Sequence, residues 1–290
     1  MISFFVQSRQ ESPLMSNLTK VTVIVPHNHW LNLNLRELWD YRELLLFLAW
    51  RNISVRYKQS IIGIGWAVFQ PVVSMVVFSV IFGNFLGVDS DGKPFAPFVL
   101  AALVPWRYFS TVLLQGSTSL VQNAPLITKV YFPRIILPLV AVIDGLVDLA
   151  IAMGILIIVM VIFKVTLSLK ILLLPFFILL AMMTALAVSF WASAINVRYR
   201  DVGQAMPFII QIWMYLSPVV YSASVIPSEF DLFFRLNPLT TVIDGFRWVL
   251  LDTPAPDVGP MLFGIAMVGI IFCSGLVYFN ITQRAFADII

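Results

Sequence analysis

Apolar residues run through this chain in long, nearly unbroken blocks. The blocks cover about 61–85, 95–115, 133–163, 171–195, 205–220 and 259–281. A helix needs about 20 apolar residues to cross the hydrocarbon of a bilayer, so the pattern predicts six membrane-spanning helices. Polar stretches separate them at 89–94, 116–132, 164–170 and 196–204. A longer stretch, 222–257, carries short apolar pieces between spans five and six. Ahead of the first block, Asn34 stands three residues before Glu37, the spacing of a helix capping box. Leu35, Leu38, Trp39 and Leu45 or Leu46 would share one face of that helix, with Arg36, Glu37, Asp40 and Glu43 off it. The expectation is an amphipathic helix in the membrane interface, leading through a basic linker over 33–58. Residues 1–32 are a mixed polar arm, with a strand-like run at 21–25 closed by Pro26. The six-helix domain then occupies 59–285, with a short tail at 286–290.

Composition agrees. Of 290 residues, 60% are hydrophobic and 11% charged, whereas soluble domains carry about 25% charged residues. Lipid must therefore solvate much of the surface. The net charge of +3 is spread thinly and forms no basic face for nucleic acid. Its placement speaks to topology. With the N-terminus inside, twelve Lys and Arg fall on the cytoplasmic side, many just before the first span, and five on the other. The positive-inside rule then puts both termini in the cytoplasm. Phe4, Phe5 and Val6 are too short a run for a signal-peptide core. No internal repeat of the kind that builds many ion-driven transporters is present.

Catalytic motifs are missing from the sequence. Gly87 to Lys93 fits most of a phosphate-binding loop, but Pro94 stands where Ser or Thr should hold magnesium, and an apolar block precedes it instead of a strand. No cofactor is expected in this chain. The two histidines, His27 and His29, and the lone Cys273 make no metal site. The glycosylation-like triplets at Asn17, Asn52 and Asn280 are read as chance.

Charges inside the blocks carry more. Arg107 lies within the second, and Asp144 and Asp148 lie four apart on one face of the third. Charges in lipid are costly and turn toward the bundle interior. Counted from the expected cytoplasmic ends, Arg107 and Asp144 fall at similar depth and are expected to pair. Arg51, Arg56 and Lys58 form a basic cluster at headgroup depth, suited to phosphate. Trp106, Tyr108, Phe109, Trp213 and Tyr215 are candidates to stack on sugars along a path.

The residues 50–58, 63–71, 103–109, 127–134, 196–202, 216–221 and 237–239, with Phe246 and Arg247, resemble permeases of the ABC type 2 export family, in their order and spacing. The resembling branch is that of polysaccharide exporters. The resemblance implies a homodimer in the bacterial inner membrane, paired with two copies of an ATPase that binds ATP and magnesium. It implies a substrate polymer, such as O-antigen, carried on a polyprenyl pyrophosphate. It also implies a transport permease rather than an enzyme, and short re-entrant helices before the last span. The segment 119–134 would dock into the ATPase, through Asn123, Leu126, Lys129, Tyr131 and Arg134. The alternative is a drug or small-lipid exporter of the same architecture. A glycan-processing enzyme lacks its acid, base or metal set here. An ion-driven transporter would use Asp144 and Asp148 as a relay.

Overall fold

One helix holds the others together. Phe95–Gln122 buries 78% of its apolar stretch inside the protein, against 6% for Gly65–Phe85. The computed structural model describes residues 35–58, 63, 65–222, 225, 227, 229, 231–283 and 286. The arm at 1–32, the capping Asn34, most of 59–64 and the tail at 287–290 lie outside these residues.

Every regular element among the described residues is helical. Helices α1 (Leu35–Asp40) and α2 (Arg42–Lys58) precede α3 (Gly65–Phe78), which continues as a π-helical stretch over Ser79–Phe85. The pillar is α4 (Phe95–Gln122), followed by the short α5 (Ala124–Lys129) and by α6 (Ile136–Ile162). A 3₁₀ turn, Leu169–Leu173, leads into α7 (Leu174–Arg198). Then come α8 (Asp201–Tyr215), α9 (Asp231–Leu236), α10 (Pro238–Leu251) and α11 (Val258–Thr282). Among the described residues, five helical segments are long and apolar enough to cross a membrane: Gly65–Phe85, α4, α6, Leu169–Arg198 and α11. The segment expected to cross fifth is α8, which has 15 residues and a proline, Pro207. At 1.5 Å per residue it reaches about 22 Å, short of the bilayer's hydrocarbon thickness of about 30 Å.

The second block also differs from expectation, for a physical reason. It was expected to end near residue 115, yet α4 runs to Gln122. The added turns are polar, but they are buried against α7. Gly116 allows that approach, because a Cβ there would lie 2.8 Å from the Ser189 Cβ. Ser189 Oγ donates to the Val112 carbonyl at 3.4 Å, and Asn196 Nδ2 donates to the Ser117 carbonyl at 2.9 Å. Small residues and side-chain hydrogen bonds are how helices associate where no hydrophobic force separates them from lipid.

At the far end of the bundle, α10 is sequestered rather than exposed. Asn237 accepts from the Leu239 N–H at 3.1 Å and Pro238 follows at the first helical position, so the local sequence starts the helix. Asn237 also receives Trp213 Nε1 of α8 at 3.1 Å. Arg247 is 2% exposed. It donates to the carbonyls of Val219 at 2.8 Å, Tyr221 at 3.0 Å and Phe98 at 3.4 Å, and lies over the Phe98 ring. Lys170 pairs with Asp252, and Ser222 Oγ donates to Asp91 Oδ2 at 2.9 Å. The Gly87–Lys93 stretch is a turn, with Gly87 and Gly92 both at positive φ.

The expected interfacial face splits in two. Leu38 and Leu45 pack onto protein, while Trp39, Leu46 and Trp50 are exposed. Arg42 lies over the Trp39 ring at 5.2 Å and Lys58 over that of Trp50 at 6.0 Å.

The α4–α7 approach has a simple test. Gly116→Val should lower stability by about 1–3 kcal/mol through overpacking. Gly154→Ala, where nothing stands within 4 Å, should leave the melting temperature unchanged or slightly raised. Thermal unfolding of the purified protein in detergent reads both.

Candidate functional site

Asp144 and Asp148 are the ninth and thirteenth residues of α6, about 12 and 18 Å along it. Both find partners on α2, not on a neighbouring span. Asn52 Nδ2 donates to Asp144 Oδ2 at 3.0 Å. Arg56 Nη1 donates to Asp148 Oδ2 at 2.7 Å, and Tyr57 Oη donates to the other oxygen of Asp148. Asn52 and Arg56 are four apart, as are the two acids. The contact is therefore a ladder of two rungs, one helical turn apart, between helices running in the same direction. Burial, with Asp148 beside it, pushes the Tyr57 hydroxyl up to about 12, so it remains a donor at neutral pH.

The pairing expected between Arg107 and Asp144 is not formed. Arg107 donates to Gln70 Oε1 of α3, and Asp144 accepts from Asn52. The expected depth was counted from residue 115. With α4 ending at Gln122, Arg107 sits two turns further from the near end and closer to the level of Asp148. Arg107 and Asp148 do line one cavity, of about 330 Å³, with Arg56, Tyr57, Gln70 and Tyr108. A second cavity, of about 220 Å³, is lined by Arg51, Asn52, Arg56, Asp144 and the α4 residues Gln115 and Gln122, with Asn123 just beyond the helix end. Arg56 and Gln115 line both, so the two adjoin.

The other expected residues divide. Arg51 is exposed, bonded to Asn52 Oδ1 at 3.3 Å, and shares the smaller cavity with Arg56. Lys58 lines neither cavity. Trp106 and Phe109 are 4% and 0% exposed and pack within the bundle, so neither offers a ring face to a path. Phe109 meets Trp213 edge-on at 5.1 Å. Tyr108 reaches the larger cavity at its edge, Trp213 is half-buried, and Tyr215 is exposed.

In the segment expected to dock, Asn123 caps α4 and Leu126 packs inward. Lys129, Val130 and Tyr131 are exposed. Tyr131 Oη donates to Glu37 Oε1 at 3.3 Å, and Arg134 donates to the Gln283 carbonyl. The segment is thus tied to α1 and to the end of α11.

Sequence reasoning missed Asn52, Tyr57, Gln70 and Gln115. Asn52 sits four residues before Arg56, on the same face of α2, and Tyr57 directly follows Arg56. Gln70 and Gln115 are uncharged polar residues inside or at the edge of apolar blocks, which is the signal that marks them.

Residues 43–251 match the ABC-2 type transporter family. The chain belongs to that family. Among similar proteins are the O-antigen export system permease protein RfbA of Myxococcus xanthus, 26% identical over 255 residues, covering 87% of this chain and 97% of that protein. The protein of the same name from Klebsiella pneumoniae is 26% identical over 260 residues, covering 89% and 97%. This ABC-2 transporter chain is therefore a multi-pass membrane subunit of a transporter, and its polar cavities lie within the part that matches the family.

The ladder predicts a non-additive pair. Arg56→Leu strands Asp148 and should cost about 1–3 kcal/mol, the penalty of an unsatisfied charged group. Adding Asp148→Leu should recover at least half of that loss, read as melting temperatures of the single and double variants.

Proposed function

We propose that this ABC-2 transporter subunit exports a polysaccharide carried on a lipid diphosphate, O-antigen being the example that its relatives' names supply. One observation carries the reading. Three guanidinium groups, Arg51, Arg56 and Arg107, line two adjoining polar cavities between α2, α3, α4 and α6. That is a phosphate-binding chemistry placed at the edge of an apolar bundle. Arg51 and Arg56 receive the diphosphate, with Lys58 at headgroup level. A diphosphate carries more negative charge than Asp148 and competes with it for Arg56.

In the proposed topology the near end, which holds α2 and α5, is cytoplasmic, a reading that the distribution of Lys and Arg supports. Helix α8 and the turn at 216–220 complete a sixth crossing, and α9 and α10 re-enter from the outer side. Both termini then lie in the cytoplasm. Two copies of the chain form the path and pair with two copies of an ATP-hydrolysing subunit. The weak packing of Gly65–Phe85 within one chain supports a partner there. The exposed Lys129, Val130 and Tyr131 support docking of the ATPase on α5 and the loop after it. Tyr215, Trp213 and the edge of Tyr108 offer the sugar contacts, which must stay weak for a polymer to move on.

Deleting the gene should abolish the surface polysaccharide and leave lipid-linked polymer inside the cell. An intact surface with no internal pool overturns the reading in favour of a drug or small-lipid exporter. In a complemented strain, Arg51→Gln with Arg56→Gln should cut export roughly tenfold or more, about 1.4 kcal/mol of lost recognition, while the protein still reaches the membrane.

A further inference from the structure

The smaller cavity contains a group that a phosphate site does not explain. Asp144 is 1% exposed. Asn52 uses its Oδ2, while Oδ1 is buried and has no hydrogen-bond partner among the described residues. A buried carboxylate oxygen left without a donor is costly, so a site that keeps one is arranged for a donor that arrives with a ligand. Phosphate at neutral pH brings negative charge and would be repelled there. The ligand group that fits Asp144 carries hydroxyls.

The surroundings agree. Across the cavity from α6 stand the amides of Gln115 and Gln122, and Asn123 at the end of α4. Asn123 Nδ2 donates to the Ser119 carbonyl at 2.8 Å, which leaves its Oδ1 as an acceptor. A carboxylate accepts from neighbouring hydroxyls, while an amide accepts from one and donates to the next. The volume, about 220 Å³, is below the roughly 300–1,000 Å³ of pockets for drug-sized ligands, so it suits one ring rather than an oligosaccharide. Arg56 and Gln115 connect this cavity directly to the one containing Arg107.

We propose that the cavity lined by Asp144, Gln115 and Gln122 is a subsite for the sugar ring joined directly to the diphosphate. The hydroxyls of that ring are accepted by Asp144 Oδ1, and Arg56, at the junction of the two cavities, takes the adjoining phosphate. This rests on the reading of the substrate as a diphosphate-linked glycan, and it adds which end of the polymer the permease recognises. Recognition at that end is independent of the length of the chain behind it. Because Asn123 links α4 to the segment 124–134, a ring in this cavity also touches the start of the segment that faces the ATPase in the proposed topology.

The test uses the full chain in lipid nanodiscs and four probes: farnesyl diphosphate, and the same diphosphate bearing glucose, galactose or N-acetylglucosamine. Binding is followed by tryptophan fluorescence. The expected result is that at least one glycosylated probe binds five- to tenfold tighter than the bare diphosphate. Asp144→Asn, and separately Gln122→Leu at the cavity edge, should reduce that advantage to less than twofold. Both variants should still bind bare farnesyl diphosphate within twofold of the parent protein, which also shows that they are folded. Bare diphosphate binding with no advantage from any sugar overturns the subsite alone. An advantage that survives both substitutions does the same. Failure of all four probes overturns the diphosphate reading itself.

Discussion

A carboxylate on a lipid-embedded helix must be compensated from within the protein, because the medium around it supplies no donors. In this chain α6 carries two, and their compensation comes from a helix that precedes the first span. Asn52, Arg56 and Tyr57 satisfy three of the four oxygens of Asp144 and Asp148. That requirement fixes where α2 lies and in which direction it runs. It also places Arg51 and Arg56 beside the polar side of α4, so both cavities exist only while α2 stays on α6. The site and the packing of the interfacial helix are therefore one arrangement.

The opposite end is built on the same constraint with the signs changed. Arg247 is a buried cation on a short helix; three backbone carbonyls accept from it, and Asp91 and Asp244 line the same cavity. Carbonyls freed at the break after α8 are satisfied at the same time as the guanidinium. A short helix that cannot cross the bilayer is in this way held inside the bundle. Polar residues thus organise both ends, while the apolar middle is packed through small residues such as Gly116 and Ser189.

Much of this was legible in the sequence, and the failures have physical causes. Long apolar blocks located five crossing helices, because the thickness of a bilayer leaves little choice. The end of α4 was misjudged because Gly116, Ser117 and Ser119 look like loop residues, although they are buried against α7. That error of two turns displaced Arg107 and produced the wrong ion pair. Depth along a helix can be counted from a sequence, but the direction in which a side chain points around the bundle cannot. Trp106 and Phe109 illustrate the second limit, since a ring that lines a path and one that fills a core have the same local sequence. The cluster of Arg51 and Arg56 was legible because α2 is a continuous helix; its connection to Asp144 and Asp148 was not, because it joins residues 92 apart.

The ladder between α2 and α6 has equal spacing on both sides, and equal spacing means that it has a second register. If α2 slides one turn toward the start of α6, about 5.4 Å, Arg56 stands opposite Asp144. Asp148 is then left facing the cavity that already contains Arg107. The observed position gives Asp144 an amide and Asp148 a cation, the second gives Arg56 to Asp144 and leaves Asp148 beside Arg107, and the positions between them pair neither acid well. The contact is a detent with two stops, not a continuous slide, so a small push on α2 is either absorbed or converted into a whole step.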